Sequence, residues 1–323
     1  MSAPRALLER CFRAALARVD GGSAVLAAVE RSGARLAIAG EAVPDGVRVR
    51  VVAAGKAAAA MAVAFEGRAG DRIAGGIAIT KDGHAAPAPR LRTTFAGHPV
   101  PDARSEVAGA AALAEAGLAA RDEWLVVLLS GGASALLTAP LPGLAQADLR
   151  RTTELLLASG APIGELNVVR KHLSAASGGR LAAATRAGRI VVLAISDVLG
   201  DPPEAIGSGP CTPDPSRYAE ALAILAARGV ADAEPDGVRA HLEAGARGER
   251  PESPKPGEPG FARVRYHVLA SNHDAVLAAA AEARARGVPA RTDLLALEGE
   301  ARDAGRRLAA LALAEPRAPS PSS

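Results

Sequence analysis

The sequence predicts an α/β protein built on a three-layer, mostly parallel sheet with helices on both faces. The segments 124–129 and 190–195 are short and wholly apolar, which is typical of strands buried on both faces of a parallel sheet. Each is followed by a polar or glycine-containing turn and then by helical periodicity, so the chain alternates strand, turn and helix. With 49% hydrophobic and 23% charged residues, the 323-residue chain has the composition of a packed protein. We therefore expect a Rossmann-like core rather than a disordered chain.

Hydrophobic periodicity and turn signals place the individual elements. Apolar or alternating runs predict strands at 47–53, 75–81, 124–129, 190–195 and 264–270. Helical spacing predicts helices at 5–30, 57–66, 105–119, 146–158, 163–173, 179–187, 217–228, 272–286 and 300–314. The third of these helices begins after Asp102 or Ser105, either of which can cap it. Residues 200–216 are rich in Pro and Gly and predict a long irregular loop.

The composition also suggests a domain division. Residues 1–244 are expected to form an N-terminal α/β domain. Residues 245–260 consist of Pro, Gly and charged residues and predict a linker. Residues 261–315 then hold about one strand and two helices, which is thin for an independent domain and predicts part of a smaller second α/β domain. The final residues, 316–323, predict a disordered tail.

Charge and cysteine content argue against several classes of protein. The net charge is +3 with acids and bases interleaved, so no nucleic-acid partner is expected. Cys11 and Cys211 match no metal spacing and cannot form a disulfide scaffold, which favours a reducing, cytoplasmic location. The N-terminus lacks the features of a secretory signal. Residues 125–147 carry no charge, but their Gly-Gly pair and two prolines favour a strand and turn over a membrane span.

In a parallel sheet, ligands bind at the carboxyl ends of the strands, so the residues that follow each predicted strand are the first candidates. Gly55 and Lys56 follow the strand at 47–53 and precede a helix, where an ammonium and free amides can converge on an anion. The alternative is a solvated lysine in the first turn of the helix. Because only four of the 38 basic residues are Lys, we favour the anion-binding role.

Two further turns are candidates. Ser130, Gly131, Gly132 and Ser134 follow the strand at 124–129, where two glycines permit a nest of amide donors around a phosphate. Asp197 follows the strand at 190–195, and Asp201 lies in the same turn. A carboxylate in this position can bind Mg²⁺ or act as a base, but a turn cap is an equally good interpretation.

Other polar positions are less specific. Arg170 and Lys171 are adjacent cations in a helical stretch, and they predict either phosphate or carboxylate binding or a solvated face. Ser271 and Asn272 follow the strand at 264–270 where a helix begins, and this position favours a helix N-cap over a role in binding. The sequence contains neither a Walker loop nor the G-x-G-x-x-G fingerprint, so nothing supports a nicotinamide cofactor.

Five motifs occur together in one order: AAGKAAAAMA (53–62), GHPVPD (97–102), LLSGGASALL (128–137), LNVVRKHLSAASGGRLA (166–182) and SDVLGDPPEAIGSGPCTPDP (196–215). As a set they resemble the ATP-dependent glycerate 2-kinases, a family also labelled hydroxypyruvate reductase. The resemblance implies transfer of a phosphoryl group from ATP to the 2-hydroxyl of D-glycerate, with Mg²⁺. It further implies an active site between two domains, with Lys56 as the active-site lysine and Arg170 and Asp197 as further catalytic groups. The same resemblance assigns phosphate or nucleotide binding to Lys171 and Asn272, beside the 130–134 turn.

The sequence departs from the family pattern at several points. Ala133 stands where the family usually has a third glycine, and His273 stands where it usually has arginine. Family members also continue beyond the end of this sequence with a further glycine-rich motif. The expectation is therefore a folded chain of low activity, with exposed apolar faces at 276–285 and 308–313 and cleavage within 245–260. A hydroxypyruvate reductase and a non-catalytic remnant of the kinase, able to self-associate as a homo-oligomer, are the alternatives.

Overall fold

The computed structural model describes residues 3–292 and 300–314, and its centre is a six-stranded sheet in which all neighbouring strands are parallel. The strands of this sheet are β4 (Val49–Ala54), β5 (Ile73–Thr80), β6 (Arg92–Phe95), β7 (Trp124–Leu129), β8 (Arg189–Ile195) and β9 (Val264–Ala270). Their order is β6-β5-β4-β7-β8-β9. The predicted α/β class with a parallel sheet is confirmed.

The helices surround this sheet. They are α1 (Ala3–Arg18), α2 (Gly21–Ala28), α3 (Ala58–Ala69), α4 (Ala103–Leu118), α5 (Ala133–Leu136), α6 (Gln146–Ala158), α7 (Ile163–Lys171), α8 (Arg180–Ala183), α9 (Tyr218–Ala227), α10 (Asp236–Ala246), α11 (Asn272–Arg284) and α12 (Ala301–Ala314). Asp102 caps α4: its carboxylate accepts from the Ser105 amide at 3.2 Å, and the Ser105 hydroxyl accepts from the Asp102 amide at 3.1 Å. Of the two predicted caps, Asp102 is therefore the N-cap and Ser105 completes the capping box.

Alternate residues of the central strands point to opposite faces of the sheet and form two apolar cores. Val52, Val127 and Val192 belong to the core that packs against α4, α5 and α8. Val51 and Val126 belong to the core that packs against α2 and α3. Because both faces of β7 and β8 are covered, these strands have to be continuously apolar, which is why the sequence shows them so clearly.

Four elements near the N-terminus differ from the prediction. The predicted helix 5–30 is two helices, because the Asp20 carboxylate accepts from the Ser23 amide at 2.8 Å and starts α2 anew. A small antiparallel sheet follows, formed by β1 (Val29–Ser32), β2 (Arg35–Ile38) and β3 (Glu41–Val43). These strands are short and half-exposed, so their apolar residues are too few to give a pattern. The same applies to β6, a half-exposed edge strand that the sequence did not reveal.

A third apolar core lies among helices rather than against the sheet. It joins α6, α7, α9 and α10 through Leu156, Val169, Leu225 and Leu242. The predicted helix 179–187 is shorter than expected and covers only Arg180–Ala183. Helices α6, α7, α9 and α10 therefore form a helical layer beside the sheet, whereas β8, which lies between them in sequence, is part of the sheet itself.

The segment at 245–260 differs from the predicted linker. Ser253 is buried, and its hydroxyl donates to the Asp214 carboxylate at 2.8 Å. Lys255 lies 3.3 Å from Glu252 in an ion pair. Strand β9, which was assigned to the second-domain segment, pairs with β8 as the edge strand of the main sheet. The domain division itself stays a prediction, but strand 264–270 belongs to the main sheet, because its alternate residues complete both cores.

The apolar faces expected near the C-terminal end are exposed. Val276 and Leu277 of α11 are exposed, as are Leu308 and Leu311 of α12. The predicted tail 316–323 lies outside the described residues. Within 3–292 and 300–314, every helix is too short or too polar to cross a bilayer.

A buried histidine gives this fold a predictable response to acid. His241 is buried against Tyr218, and neither of its ring nitrogens has a hydrogen-bond partner in the described part of the chain. Burial, followed by the charge of Arg250, lowers the pKa of His241 to about 4. An unfolded chain takes up this proton near pH 6.5, so it binds more protons than the folded chain between about pH 4 and 6.5. The contribution of His241 to the free energy of unfolding is therefore fully present above about pH 6.5. It falls by up to about 3 kcal/mol as the pH drops to 4.

Replacing His241 by leucine should flatten this pH dependence. Urea unfolding at pH 7.5 and pH 5 measures the loss of stability, with His273→Leu on the exposed face of α11 as the control. Wild type and the control should lose more stability than His241→Leu over this interval. Equal losses in all three proteins would contradict the assignment.

Candidate functional site

Polar and glycine residues follow five strands of the parallel sheet at the same edge. Because all the strands are parallel, their carboxyl ends lie side by side. From β6 to β8, the residues that follow the strands are His98, Lys81, Gly55 with Lys56, Ser130 to Gly132, and Asp197. The strand order reverses between β4 and β7, and this is the point in such sheets where a crevice opens for a ligand.

The turns after β4 and β7 are in direct contact at this point. The Lys56 amide donates to the Gly131 carbonyl at 2.9 Å, and the Ala57 amide donates to the Ser130 hydroxyl at 3.0 Å. Gly55 makes the contact possible, because a Cβ at this position would meet the Ser130 hydroxyl and lie 2.5 Å from its carbonyl oxygen. Its φ of +132° is also in a region that favours glycine. The two predicted turns therefore form one rigid unit.

Replacing Gly55 by alanine should disrupt this unit. The new methyl adds a clash and an unfavourable φ, each of which costs about 1–3 kcal/mol. Gly160→Ala is a matched control, because Gly160 has a φ of +70° but nothing within 4 Å of the added Cβ. In urea unfolding, Gly55→Ala should lose clearly more stability than Gly160→Ala. Similar losses would show that only the backbone angle matters and that the two turns are not tightly packed.

Lys56 has a fixed backbone and a free ammonium. Its carbonyl oxygen lies 3.4 Å from the Thr80 hydroxyl and 3.0 Å from Nδ1 of His84. Its side chain passes over Gly132, and its Nζ makes no ion pair with any residue in the described ranges. A positioned cation without a protein partner is suited to binding an anionic ligand.

The glycine turn beside Lys56 supplies amide donors. Gly132 has a φ of +91°, and the amides of Gly131 and Gly132 donate to no other described residue. Successive free amides in such a turn form a concave site for an anion. The Ser130 hydroxyl accepts from the Ala57 amide and keeps its own proton for donation. Ala133 does not narrow the turn, since its buried methyl group lies towards Gly207 instead.

Asp197 lies against the same turn. Its carboxylate is so close to Gly131 that a Cβ there would require the carboxylate to move. The alternative role of Asp197 as a turn cap is not seen, because Ser196 accepts from the Val198 amide at 3.2 Å and the exposed Asp197 carboxylate accepts no hydrogen bond in the described part of the chain. Asp197 thus presents oxygen ligands of the kind that Mg²⁺ prefers.

His98 is a site residue that the strand criterion missed. Its ring lies over Gly132, 2.8 Å from the position of an added Cβ, beside the stem of Lys56. Partial burial lowers the pKa of His98, the charges of Lys56 and Lys81 lower it further, and Asp197 opposes them. His98 follows β6, which was not predicted. Lys81 was included in the predicted strand 75–81, but it directly follows β5, which ends at Thr80.

The adjacent cations Arg170 and Lys171 point to different environments. The Lys171 ammonium is buried and lies 3.4 Å from the Asp214 carboxylate, so the structure does not bring it to the site. Helical geometry explains this, because consecutive residues of a helix lie about 100° apart. Arg170 instead lines a cavity together with Ser134, whose hydroxyl lies 2.9 Å from that of Ser208.

The two remaining candidates lie at the margin. Asn272 is an exposed residue at the start of α11, where Ser271 is the N-cap, as the sequence favoured. Asp201 is in the turn after Asp197 with a φ of +54°. In the described ranges no group of three His, Cys, Asp or Glu residues could hold a metal by itself. This arrangement fits Mg²⁺ bound through one or two carboxylates together with substrate phosphates.

A family model described as "Domain of unknown function (DUF4147)" matches residues 7–243. The chain belongs to the DUF4147 family. The matched DUF4147 region contains every site residue described above, from Gly55 to Asp197.

Similar proteins of known sequence or structure carry two kinds of name. A "Glycerate 2-kinase" of Pyrococcus horikoshii is 40% identical over 90% of this chain, and a "Putative hydroxypyruvate reductase" of Agrobacterium vitis is 41% identical over 96% of it. A crystal structure of glycerate kinase from Thermotoga maritima matches this DUF4147 chain with a TM-score of 0.75 at 32% identity, covering 94% of this chain and 67% of that one. The chain spans 65% of the length of the P. horikoshii protein and 66% of the A. vitis protein.

Proposed function

We propose that this chain carries the phosphoryl-transfer site of an ATP-dependent glycerate 2-kinase, which moves the γ-phosphoryl group of ATP to the 2-hydroxyl of D-glycerate. The observation that carries the proposal is the unit formed by the turns after β4 and β7. There the stem of Lys56 passes Gly132, and neither the Lys56 ammonium nor the amides of Gly131 and Gly132 have a partner in the described part of the chain. The names of the P. horikoshii and T. maritima relatives support the same reaction.

The chemistry of phosphoryl transfer suits such a site. The transferred group passes through a loose transition state, so the protein contributes mainly positioning and stabilisation of charge. Lys56 neutralises phosphate oxygens, and the two glycine amides donate to them without reorganisation, because the hydrogen bonds of the turn already fix their direction. The scarcity of lysine in this chain gives the position further weight.

Asp197 and His98 face the same turn and complete the proposed machinery. Asp197 would hold Mg²⁺, with Asp201 nearby in the chain, or would orient the hydroxyl of the acceptor. Bound Mg²⁺ supplies charge neutralisation between the phosphates. The lowered pKa of His98 keeps its imidazole neutral at pH 7, so a ring nitrogen is able to accept the proton of the attacking hydroxyl.

A coupled assay of ADP release tests the proposal. ADP release should depend on D-glycerate, and phosphorus NMR of the product should show 2-phosphoglycerate. Isothermal calorimetry should show ATP binding in the absence of the acceptor. If the protein phosphorylates another hydroxy acid but not D-glycerate, the proposed substrate is wrong. If it does not bind ATP, the proposed kinase activity is wrong.

The hydroxypyruvate reductase named among the relatives is measured in parallel. Such an enzyme would oxidise NADH when given hydroxypyruvate. We expect no oxidation above background, because the sequence has no nicotinamide fingerprint. NADH oxidation without ADP release would show that the protein is a reductase and not the proposed kinase.

The cellular setting belongs to the same proposal. Cys11 and Cys211 are both free thiols, which supports a reducing cytoplasm. Homo-oligomer formation is supported by the exposed Leu8, Phe12 and Leu16 of α1. Light scattering after size exclusion should show a dimer or larger species, and a monomer at all concentrations would contradict it.

A further inference from the structure

A cavity lies between α6, α7 and the loops that carry the proposed site. Its lining includes Pro101, Ser134, Thr138, Thr152 and Arg170. With its open mouth the cavity encloses about 390 Å³, which is enough for a small molecule.

Arg170 is a cation without a partner in this cavity. In the described chain, no carboxylate lies within 4 Å of its guanidinium, and it donates no hydrogen bond. Burial alone lowers the pKa of Arg170 to about 10, so it is still charged at neutral pH. Other partly buried arginines are paired: Arg50 lies 2.8 Å from Glu115, and Arg228 lies 2.6 Å from Glu165. The Arg170 guanidinium is half-buried, and no carboxylate in the described chain neutralises it, so it is free to bind an anion that enters the cavity.

An unsatisfied hydroxyl lines the same cavity. Thr152 is 1% exposed, and its Oγ1 has no hydrogen-bond partner among residues 3–292 and 300–314. In contrast, the Thr138 hydroxyl donates to the Ser134 carbonyl at 2.9 Å. Buried polar groups are normally paired, and Thr152 and Arg170 are two donors that line the same cavity and lack an acceptor in the described chain.

We propose that this cavity binds the carboxylate of a small hydroxy acid through the Arg170 guanidinium and the Thr152 hydroxyl, which rests on the function proposed above. A planar guanidinium matches a carboxylate with two parallel hydrogen bonds. The cavity adjoins the phosphoryl-transfer site in the chain, because Ser134 is two residues from Gly132 and Pro101 is three residues from His98.

A carboxylate held in the cavity would orient the acceptor. In a 2-hydroxy acid the hydroxyl is on the carbon next to the carboxylate, so fixing the carboxylate also restricts the position of that hydroxyl. Arg170 acts here as a binding group for the acceptor, which refines its predicted catalytic role.

Binding of simple carboxylates tests the inference without any turnover. Glycolate and D-glycerate carry the carboxylate, glycerol lacks it, and inorganic phosphate is a different anion. Calorimetry should detect glycolate and D-glycerate but not glycerol with the wild-type chain. Arg170→Gln should weaken both by about tenfold or more, and Thr152→Val should weaken them less.

Three further variants make the result decisive. Arg151→Gln removes the same charge from the exposed face of α6 and should bind glycolate like wild type. Arg170→Lys keeps the charge without the planar fork and should bind between wild type and Arg170→Gln. Lys56→Met changes the proposed phosphate site and should retain glycolate binding. The proposed kinase reaction and the proposed carboxylate site can therefore fail independently of each other.

Two outcomes would overturn the carboxylate site. Equal glycolate affinity in wild type and Arg170→Gln would show that Arg170 does not bind the acid. Phosphate binding that depends on Arg170, with no glycolate binding, would show that the cavity takes a phosphoryl group instead.

Discussion

Replacing Lys56 by methionine is expected to weaken ATP binding by roughly tenfold to a hundredfold while leaving the fold intact. The ammonium makes no ion pair among the described residues, so its removal costs no protein contact, whereas charge-assisted hydrogen bonds to phosphate contribute about 1.5–3 kcal/mol. Isothermal calorimetry with ATP measures the loss, and thermal unfolding verifies that the variant is folded.

The matched control for this variant is Arg10→Met. Arg10 is exposed on α1 and is not one of the residues that follow the strands of the sheet, so the control changes the net charge by the same amount outside the proposed site. ATP affinity should be unchanged in the control. If Lys56→Met and Arg10→Met bind ATP equally well, Lys56 is not the phosphate-binding cation and the proposed site fails.

Replacing Asp214 by asparagine is expected to cost about 3–5 kcal/mol of stability, which corresponds to roughly 5–15 °C in melting temperature. Asp214 is fully buried and lies 3.4 Å from the buried ammonium of Lys171. Burial alone would raise the pKa of Asp214, but hydrogen bonds from Ser216 and Ser253 and the charge of Lys171 outweigh it and lower the pKa. The asparagine leaves a buried cation without compensation.

A double variant separates the charge from the packing. Asp214→Asn together with Lys171→Met removes both charges and should recover part of the stability lost in Asp214→Asn. Asp45→Asn at an exposed position is the control and should melt like wild type. A melting temperature of Asp214→Asn equal to that of the control would show that the pair contributes nothing.

This pair also has a defined pH response. Because the pKa of Asp214 is lowered by folding, its stabilising contribution is present above the unfolded value of about 3.9. It is lost as the pH falls through the folded value. The acid limb of the stability curve should therefore be less steep in Asp214→Asn than in wild type.

Local sequence patterns found the central strands and the turns that follow them. Strands β7 and β8 are buried on both faces, so each contains a continuous apolar run that stands out without knowledge of its neighbours. Strand β4 contains Arg50 and was found instead from its alternating pattern. The turns at 55–56, 130–132 and 197 follow from the ends of those runs, because side chains at the carboxyl ends of parallel strands share one edge.

Strands with one exposed face were not predicted from hydrophobic periodicity. Strand β6 is half-exposed and polar, so it resembles a loop in sequence, and His98 beyond it was missed as a result. Strands β1 to β3 are only three or four residues long, too short for an alternating pattern to be distinguished from chance.

By itself the sequence determined the fold class, the central strands and the glycine and lysine turns, since each depends on residues that are neighbours along the chain. Only the tertiary structure decided the environments of the two adjacent cations. Lys171 is paired with Asp214, 43 positions away. Arg170 has no ion-pair partner in the described chain and lines the same cavity as Thr152. The tertiary structure also placed strand β9 in the main sheet and its preceding segment against Asp214. The physical reason is that buried charges and edge strands take their partners from distant parts of the chain, and no local pattern specifies which partner is brought into contact.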